Sequence, residues 1–345
     1  MITWLRKSRW MRWLFLLLFL IVGKLLFWPR SYPSIKSDET VNRSHWQLST
    51  GSSIGYSFYK GDTAAKKQTP IIYLNGGPGG STSPRVMQLL QPVTKLGFDL
   101  YFYDQVGSGT SGRLENIEEY TVDRHIKDLL AIIEKTGASQ VILVGQSWGA
   151  ILATHFLAAH PDKVAKLILT SPGPLYPIDP VLFRSVAPDS LQLRSPMTSN
   201  QVATASVSNL RMKLVQYWAT HLGQKIASDR EADAYAGYVS AQTDRSTTCD
   251  SAVQFPARGG NGYYAGMMTF NDLLKTADPR AGLRKLPLSV LVLRGQCDNQ
   301  PWGAAYEYTK LFSNSRLILI PDAGHFIHVE QPEAFVQHIR QFLME

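Results

Sequence analysis

The stretch Gly145-Gln146-Ser147-Trp148-Gly149 constrains this chain most. The apolar run Val141-Ile142-Leu143-Val144 before it reads as a strand, and Ile151 to Ala159 after it reads as a helix. A strand that becomes a helix within so few residues needs a tight bend, and the flanking glycines let the two backbones approach closely. Such a bend lifts Ser147 above the edge of a sheet, with its hydroxyl near a helix N-terminus. The plainer alternative is a glycine-rich turn with an incidental serine.

The surrounding pattern supports the bend. Ile71 to Leu74, Phe98 to Tyr103, Lys166 to Thr170, Ser289 to Leu293 and Leu317 to Ile320 read as further strands. Val122 to Lys135, stopping at Gly137, and Pro332 to Leu343 have helical spacing. His45 to Leu48 and Ile54 to Tyr59 read as an opening hairpin. Continuous apolar strands alternating with helices imply an α/β fold with a mostly parallel sheet covered on both faces. The rhythm breaks after the sixth strand, where Asn209 to Leu222 and Arg230 to Ala241 read as helices beside a Gly/Tyr-rich stretch, Gly259 to Tyr264. The expected organisation is a core of residues 45–172 and 282–345 with a mostly helical cap, 173–281, inserted between them.

A serine hydroxyl is a weak nucleophile and needs a base. Gly324-His325 follows the last strand, in a loop opened by Pro321-Asp322-Ala323, so His325 reaches the same sheet edge as Ser147. His328 is the alternative base, but His325 directly follows the turn glycine. Asp298 is the one acid in the loop after the preceding strand, and it can hold the histidine in the required tautomer. The early strand ends in Asn75-Gly76-Gly77-Pro78-Gly79-Gly80. There the Gly77 amide, with that of Trp148, is a candidate oxyanion donor. No Gly-Lys-Ser/Thr follows those glycines, which argues against a phosphate cradle.

With these motifs in order, the chain resembles the proline iminopeptidase family, peptidases of the α/β-hydrolase class. The resemblance rests on Asn75 to Gly80, Asp104-Gln105-Val106-Gly107-Ser108-Gly109, Gly145 to Gly149 and Gly324-His325. It implies an α/β-hydrolase fold, a triad of Ser147, Asp298 and His325, an oxyanion hole at Gly77 and Trp148, and hydrolysis of small peptides through an acyl-enzyme. It implies no metal or cofactor. The cap departs from the pattern. Family members hold a free amino terminus with cap carboxylates, one in a Glu-Asn-His-Tyr-Phe stretch. Here the similar stretch is Gly260-Asn261-Gly262-Tyr263-Tyr264, and an expected Trp-Glu pair stands as Trp218-Ala219. Asp244, Asp250 and Glu231 are candidate replacements. An esterase or amidase using the same triad, with cap aromatics Trp218, Tyr235, Tyr238, Tyr263 and Tyr264 around the substrate, is the second reading. A non-catalytic binding module is the third.

The net charge of +8 does not point to nucleic acid. Arg6, Lys7, Arg9, Arg12, Lys24, Arg30 and Lys36 leave 28 basic against 27 acidic side chains in the rest of the chain. The first residues instead read as a basic n-region followed by the apolar run Trp13 to Gly23, which resumes after Lys24. No A-x-A-like cleavage site follows. The expectation is a signal anchor or transmembrane helix over residues 1–28 and a linker over 29–44, with the catalytic domain on the exported side of the membrane. Secretion after signal cleavage is the alternative. Cys249 and Cys297 are open between a disulfide and two buried thiols.

Overall fold

The computed structural model describes residues 2–33, 43–205, 207–250, 252–253, 255 and 259–345. In chain order its first elements are α1 (Ile2–Phe27), β1 (Ser44–Gln47), β2 (Ser53–Tyr59), β3 (Ile71–Leu74), α2 (Pro84–Leu90), β4 (Leu100–Tyr103), α3 (Val122–Thr136), β5 (Val141–Gln146), α4 (Trp148–Ala159) and β6 (Val164–Thr170). Six described helices follow before the next strand: α5 (Pro180–Phe183), α6 (Asn200–Ala205), α7 (Leu210–Leu222), α8 (Asp229–Thr243), α9 (Tyr263–Leu273) and α10 (Arg280–Leu283). The chain then returns through β7 (Ser289–Gly295), α11 (Trp302–Leu311), β8 (Ser315–Ile320), α12 (Ile327–Glu330) and α13 (Pro332–Met344).

The eight strands form one sheet in the order β1-β2-β4-β3-β5-β6-β7-β8. β1 and β2 pair antiparallel, β2 pairs antiparallel with β4, and the remaining strands run parallel. Apolar side chains alternate between two buried faces. Ile72, Leu74 and Leu143 join Leu129, Ile132, Leu152 and Phe156 of α3 and α4 on one face. Ile71, Tyr73, Ile142 and Val144 join Val86 and Leu90 of α2 and Phe335 and Ile339 of α13 on the other. Two covered faces explain why the strands read as continuous apolar runs. α4 lies in the interior and is buried on nearly every side, as an all-round apolar helix must be. α3 begins at Thr121, whose side chain accepts the Arg124 N–H, and ends at left-handed Gly137.

The register decides what meets at the carboxyl edge. Leu74 pairs with Gly145, Gln146 with Thr170, Thr170 with Leu293 and Gly295 with Ile320. The strand ends therefore lie level, and the loops after β3, β5, β7 and β8 open side by side.

Two matters left by the sequence are answered here. Cys249 and Cys297 form a disulfide with Cα atoms 5.3 Å apart. The transmembrane expectation for residues 1–28 is not supported, since among the described residues no helix is long and apolar enough to cross a membrane. The run Trp13 to Gly23 amounts to about 16 Å of helix, against ~30 Å of hydrocarbon, and Lys24 then interrupts it. Residues 34–42 of the expected linker lie outside the described residues, whereas 29–33 lie against the cap. There the Arg30 N–H donates to Glu231 at 3.0 Å, and Tyr32 hydrogen-bonds Asn209.

Phe156 is fully buried between α4 and the sheet. Phe156→Ala should cost about 3–5 kcal/mol. It should lower the urea midpoint while leaving the denaturant slope unchanged; an unchanged midpoint would contradict this packing.

Candidate active site

The bend between β5 and α4 is sterically enforced. A Cβ on Gly145 would lie 2.4 Å from Gly149 O, and one on Gly149 would lie 2.1 Å from Leu74 O. No side chain fits at either position. Ser147 between them has φ 54° and ψ −115°, a strained backbone for a serine. Its N–H donates to Thr170 O at 3.0 Å, which pins the bend to the neighbouring strand.

His325 Nε2 lies 2.9 Å from Ser147 Oγ, and its Nδ1 lies 2.8 Å from Asp298 Oδ1. A carboxylate only accepts, so Nδ1 carries the proton and Nε2 is free to accept from the serine hydroxyl. Burial alone would push the Asp298 carboxyl up, but His325, the Arg294 guanidinium and the Gln300 N–H together hold it below its ordinary value. Asp298 and His325 are both buried. His328 is buried in α12 and lines the same cavity, but the ring bonded to Ser147 is that of His325.

The loop after β3 crosses in front of Ser147. Gly77 has φ 134°, in a region that favours glycine, and a Cβ there would meet Gly80 N at 2.6 Å. Trp148 opens α4, so its N–H has no acceptor within the helix. Gly77 and Ser147 line one cavity of about 370 Å³. Gln105 ties these parts together, a role the sequence reading did not assign. Its Oε1 accepts the Trp148 indole N–H at 2.8 Å, and its Nε2 donates to Asn75 O at 3.0 Å. Asp104 beside it accepts the backbone N–H groups of Thr82 and Thr110, anchoring the far end of the glycine loop. The Asp104-Gln105 pair in a β-strand-to-turn position was the available signal.

The cap closes the site from above. The Gly262 N–H donates to Gly79 O at 2.7 Å and the Gly109 N–H to Gly260 O at 2.6 Å, so the stretch with glycine in place of the expected glutamate lies on the glycine loop after β3. Of the three candidate replacement acids, only Asp244 lines the Ser147 cavity. Glu231 is buried in a two-pronged ion pair with Arg211, at 3.1 and 2.9 Å. Asp250 is exposed outside the cavity. A second cavity of about 680 Å³ adjoins the first across Gly77, Gly80 and Asn261. Its wall includes Val207, Met212, Tyr235, Val239, Tyr263 and Met267. Of the cap aromatics singled out from sequence, Tyr235 and Tyr263 face this cavity, whereas the Tyr264 hydroxyl is buried against Ala227 O. Trp218 and Tyr238 line neither cavity.

The chain belongs to the alpha/beta hydrolase fold family, whose model matches residues 69–332. Within that family it is similar to proline iminopeptidases. It is 37% identical over 111 residues to the proline iminopeptidase of Lactobacillus delbrueckii subsp. bulgaricus, covering 31% of this chain and 37% of that protein. It is 23% identical over 282 residues to that of Heyndrickxia coagulans, covering 80% of this chain and 90% of the relative. The higher-identity match thus spans little more than a third of the relative's length. Among solved structures, a thermophilic esterase from Thermogutta terrifontis superposes with a TM-score of 0.59 at 19% identity, over 88% of this chain and 98% of that one. At that identity the likeness is one of fold.

The depressed Asp298 carboxyl has a consequence for acid stability. Its folded value lies below the ordinary 3.8, so the ionised group contributes stability above that pH, lost as pH falls through the folded value. The stability gap between wild type and Asp298→Asn should narrow as pH falls from about 4 through the folded value of the carboxyl. A gap that widens in acid would mean that the carboxyl is protonated in the folded protein.

Proposed function

We propose that this protein is a serine hydrolase that works through an acyl-enzyme and cleaves small peptides from a free amino terminus. The observation that carries the reading is His325 bridging Asp298 Oδ1 and Ser147 Oγ at 2.8 and 2.9 Å. In this mechanism His325 Nε2 takes the Ser147 proton as Oγ attacks the substrate carbonyl. The Gly77 and Trp148 amides hold the developing oxyanion, and Asp298 stabilises the imidazolium. His325 then protonates the leaving amine, and water, deprotonated by His325, releases the acyl group.

Asp244 supports a peptidase over an esterase. It is the one carboxylate lining the Ser147 cavity among the described residues, and a carboxylate in that position can accept from a substrate ammonium. The likeness to proline iminopeptidases points the same way. The esterase or amidase reading draws on a different observation, the second cavity beside the oxyanion loop, whose wall carries Val207, Met212, Val239 and Met267.

We further propose that the domain works on the exported side of a membrane and is held there by α1. The disulfide suits an oxidising compartment. Trp13 through Val22 are exposed apolar side chains, flanked by Arg9 and Arg12, and suit insertion into a bilayer surface.

Hydrolysis of prolyl and alanyl amides, their N-blocked forms and short acyl esters by the full chain tests the substrate reading. Ser147→Ala should lower turnover of every substrate by about four to six orders of magnitude. Asp244→Asn should cost about 10- to 150-fold on free-amine substrates, the loss of one charge-assisted bond, and leave esters unchanged. Equal loss on blocked and free substrates would remove Asp244 as the ammonium partner, and preference for esters would select the second reading. For location, alkaline carbonate should leave the chain with the membranes, and protease added to intact cells should digest the domain. Release by carbonate, or protection in intact cells, would overturn that proposal.

A further inference from the structure

The cap segment 247–250 threads between the loops that carry Asp298 and His325, and it is tied to both. Thr247 O accepts the His325 N–H at 2.8 Å. A Cβ on Gly324 would lie 2.0 Å from that same Thr247 O, so the two backbones are in contact. Glu330, at the end of α12, spans the junction with both carboxylate oxygens. Oε2 accepts the Gly324 N–H at 2.6 Å, while Oε1 accepts the N–H groups of Cys249 and Asp250 at 2.8 and 3.1 Å. The disulfide then joins Cys249 to Cys297, the residue before Asp298. Cys297 N–H donates to Ala323 O at 2.9 Å, which links the acid loop to the histidine loop directly. Backbone, carboxylate and covalent ties therefore converge on one short piece of cap, and none of them uses a reacting atom.

We infer that segment 247–250 is a brace for the acid and base of the site, that Glu330 is a positioning residue of this brace, and that the oxidation state of Cys249–Cys297 sets the rate at Ser147. The inference rests on Ser147 being the nucleophile. Cys297 is 2% exposed, whereas Cys249 is half-buried and has the Arg194 guanidinium 3.5 Å from its sulfur. A dithiol reductant therefore reaches Cys249 first. Its thiolate attacks Cys249 Sγ, Cys297 leaves as a thiolate and takes up a proton, and the reductant's second thiol releases Cys249. Two electrons and two protons pass to the protein, and the reductant becomes its cyclic disulfide. With the covalent tie gone, the acid loop is held to the cap only by hydrogen bonds. A displacement of about 1 Å at a site of this kind costs ~100-fold.

The test uses the full chain and a fluorophosphonate, whose phosphorus Ser147 Oγ attacks with loss of fluoride, so the readout is independent of which natural substrate is cleaved. Labelling rates are measured against pH for oxidised protein, dithiothreitol-reduced protein, Cys249→Ser/Cys297→Ser and Glu330→Gln, with far-UV circular dichroism at the assay temperature. Reduction and the double serine variant should each slow labelling by about 10- to 100-fold and shift the pH midpoint. Reoxidation should restore the wild type, and dithiothreitol should do nothing to the double variant. A glutamine at 330 has one acceptor oxygen where the carboxylate has two, so it cannot serve both Gly324 and the Cys249-Asp250 segment and should reproduce the slowing with the disulfide intact. If reduction unfolds the protein, folded Glu330→Gln decides: slowed labelling with a shifted midpoint supports the brace, and a normal rate overturns it. Folded, reduced protein that labels at the oxidised rate and midpoint overturns it as well. If oxidised wild type is not labelled, the nucleophile reading itself has failed and the brace falls with it.

Discussion

The site depends on how closely α4 approaches the ends of β3 and β5. Gly149 lies against Leu74 O and Gly145 against Gly149 O, with no room for a Cβ at either. That contact forces Ser147 to φ 54°, a conformation that costs a residue of this kind about 1–3 kcal/mol. The strain persists because the surroundings over-determine it. α4 is buried along its length, and side chains such as Leu152 and Phe156 each contribute about 1.5–3 kcal/mol by leaving water. Burial of one helix thus offsets the bend at the residue just before it. The level strand ends then bring Asp298 and His325 to the place where that bend presents Ser147.

Electrostatics completes what packing begins. Ser147 is neutral, and the charge that matters lies two bonds of the network away, on Asp298. Burial works against an ionised carboxylate there, yet His325, Arg294 and the Gln300 N–H outweigh it. The same logic recurs in the cap. Arg211 and Glu231 are both buried, and their remaining hydrogen-bonding positions are filled by Leu26 O, Ile226 O and the Arg30 N–H. Breaking such a pair from one side costs about 3–5 kcal/mol, since the other charge stays buried. Glu231 is therefore committed to joining the residues at and after the end of α1 to the cap.

Ser147, Asp298 and His325 were legible in the sequence because each is marked locally: a strand, a turn, then the residue. The parallel sheet supplies the rest by placing every such turn on one edge. Gln105 also follows a strand, but nothing local names its partners, and Glu330 carries no such mark at all. Gln105 acts between Asn75 and Trp148, and Glu330 between Gly324 and Cys249, contacts that exist only after distant segments meet. The Gly/Tyr-rich stretch also concealed a helix, α9, since Gly260 and Gly262 precede its start and serve close approaches to Gly109 and Gly107. The pairing of the two cysteines was undecidable for a similar reason, because their separation of 48 residues says nothing about distance.

The cap is tied down along its edges. Arg211 and Glu231 join it to the end of α1 and the residues after it, Gly260 and Gly262 join it to the glycine loop after β3 and the turn at Gly109, and Thr247 to Asp250 join it to the loop that bears His325. A cap resting loosely on a finished site would act as a lid, and its motion would gate the substrate. Here the stretch where the resemblance led to an expected glutamate is pressed against Gly79 and Gly109, and a side chain at Gly260 would meet Gly109 Cα at 2.9 Å. The missing carboxylate is thus more than a deletion at one position: the close backbone contact made there leaves no room for one. Any replacement must come from another element facing Ser147, and the end of α8 with the turn that follows it, bearing Ser240, Thr243 and Asp244, faces it beside Thr204 of α6.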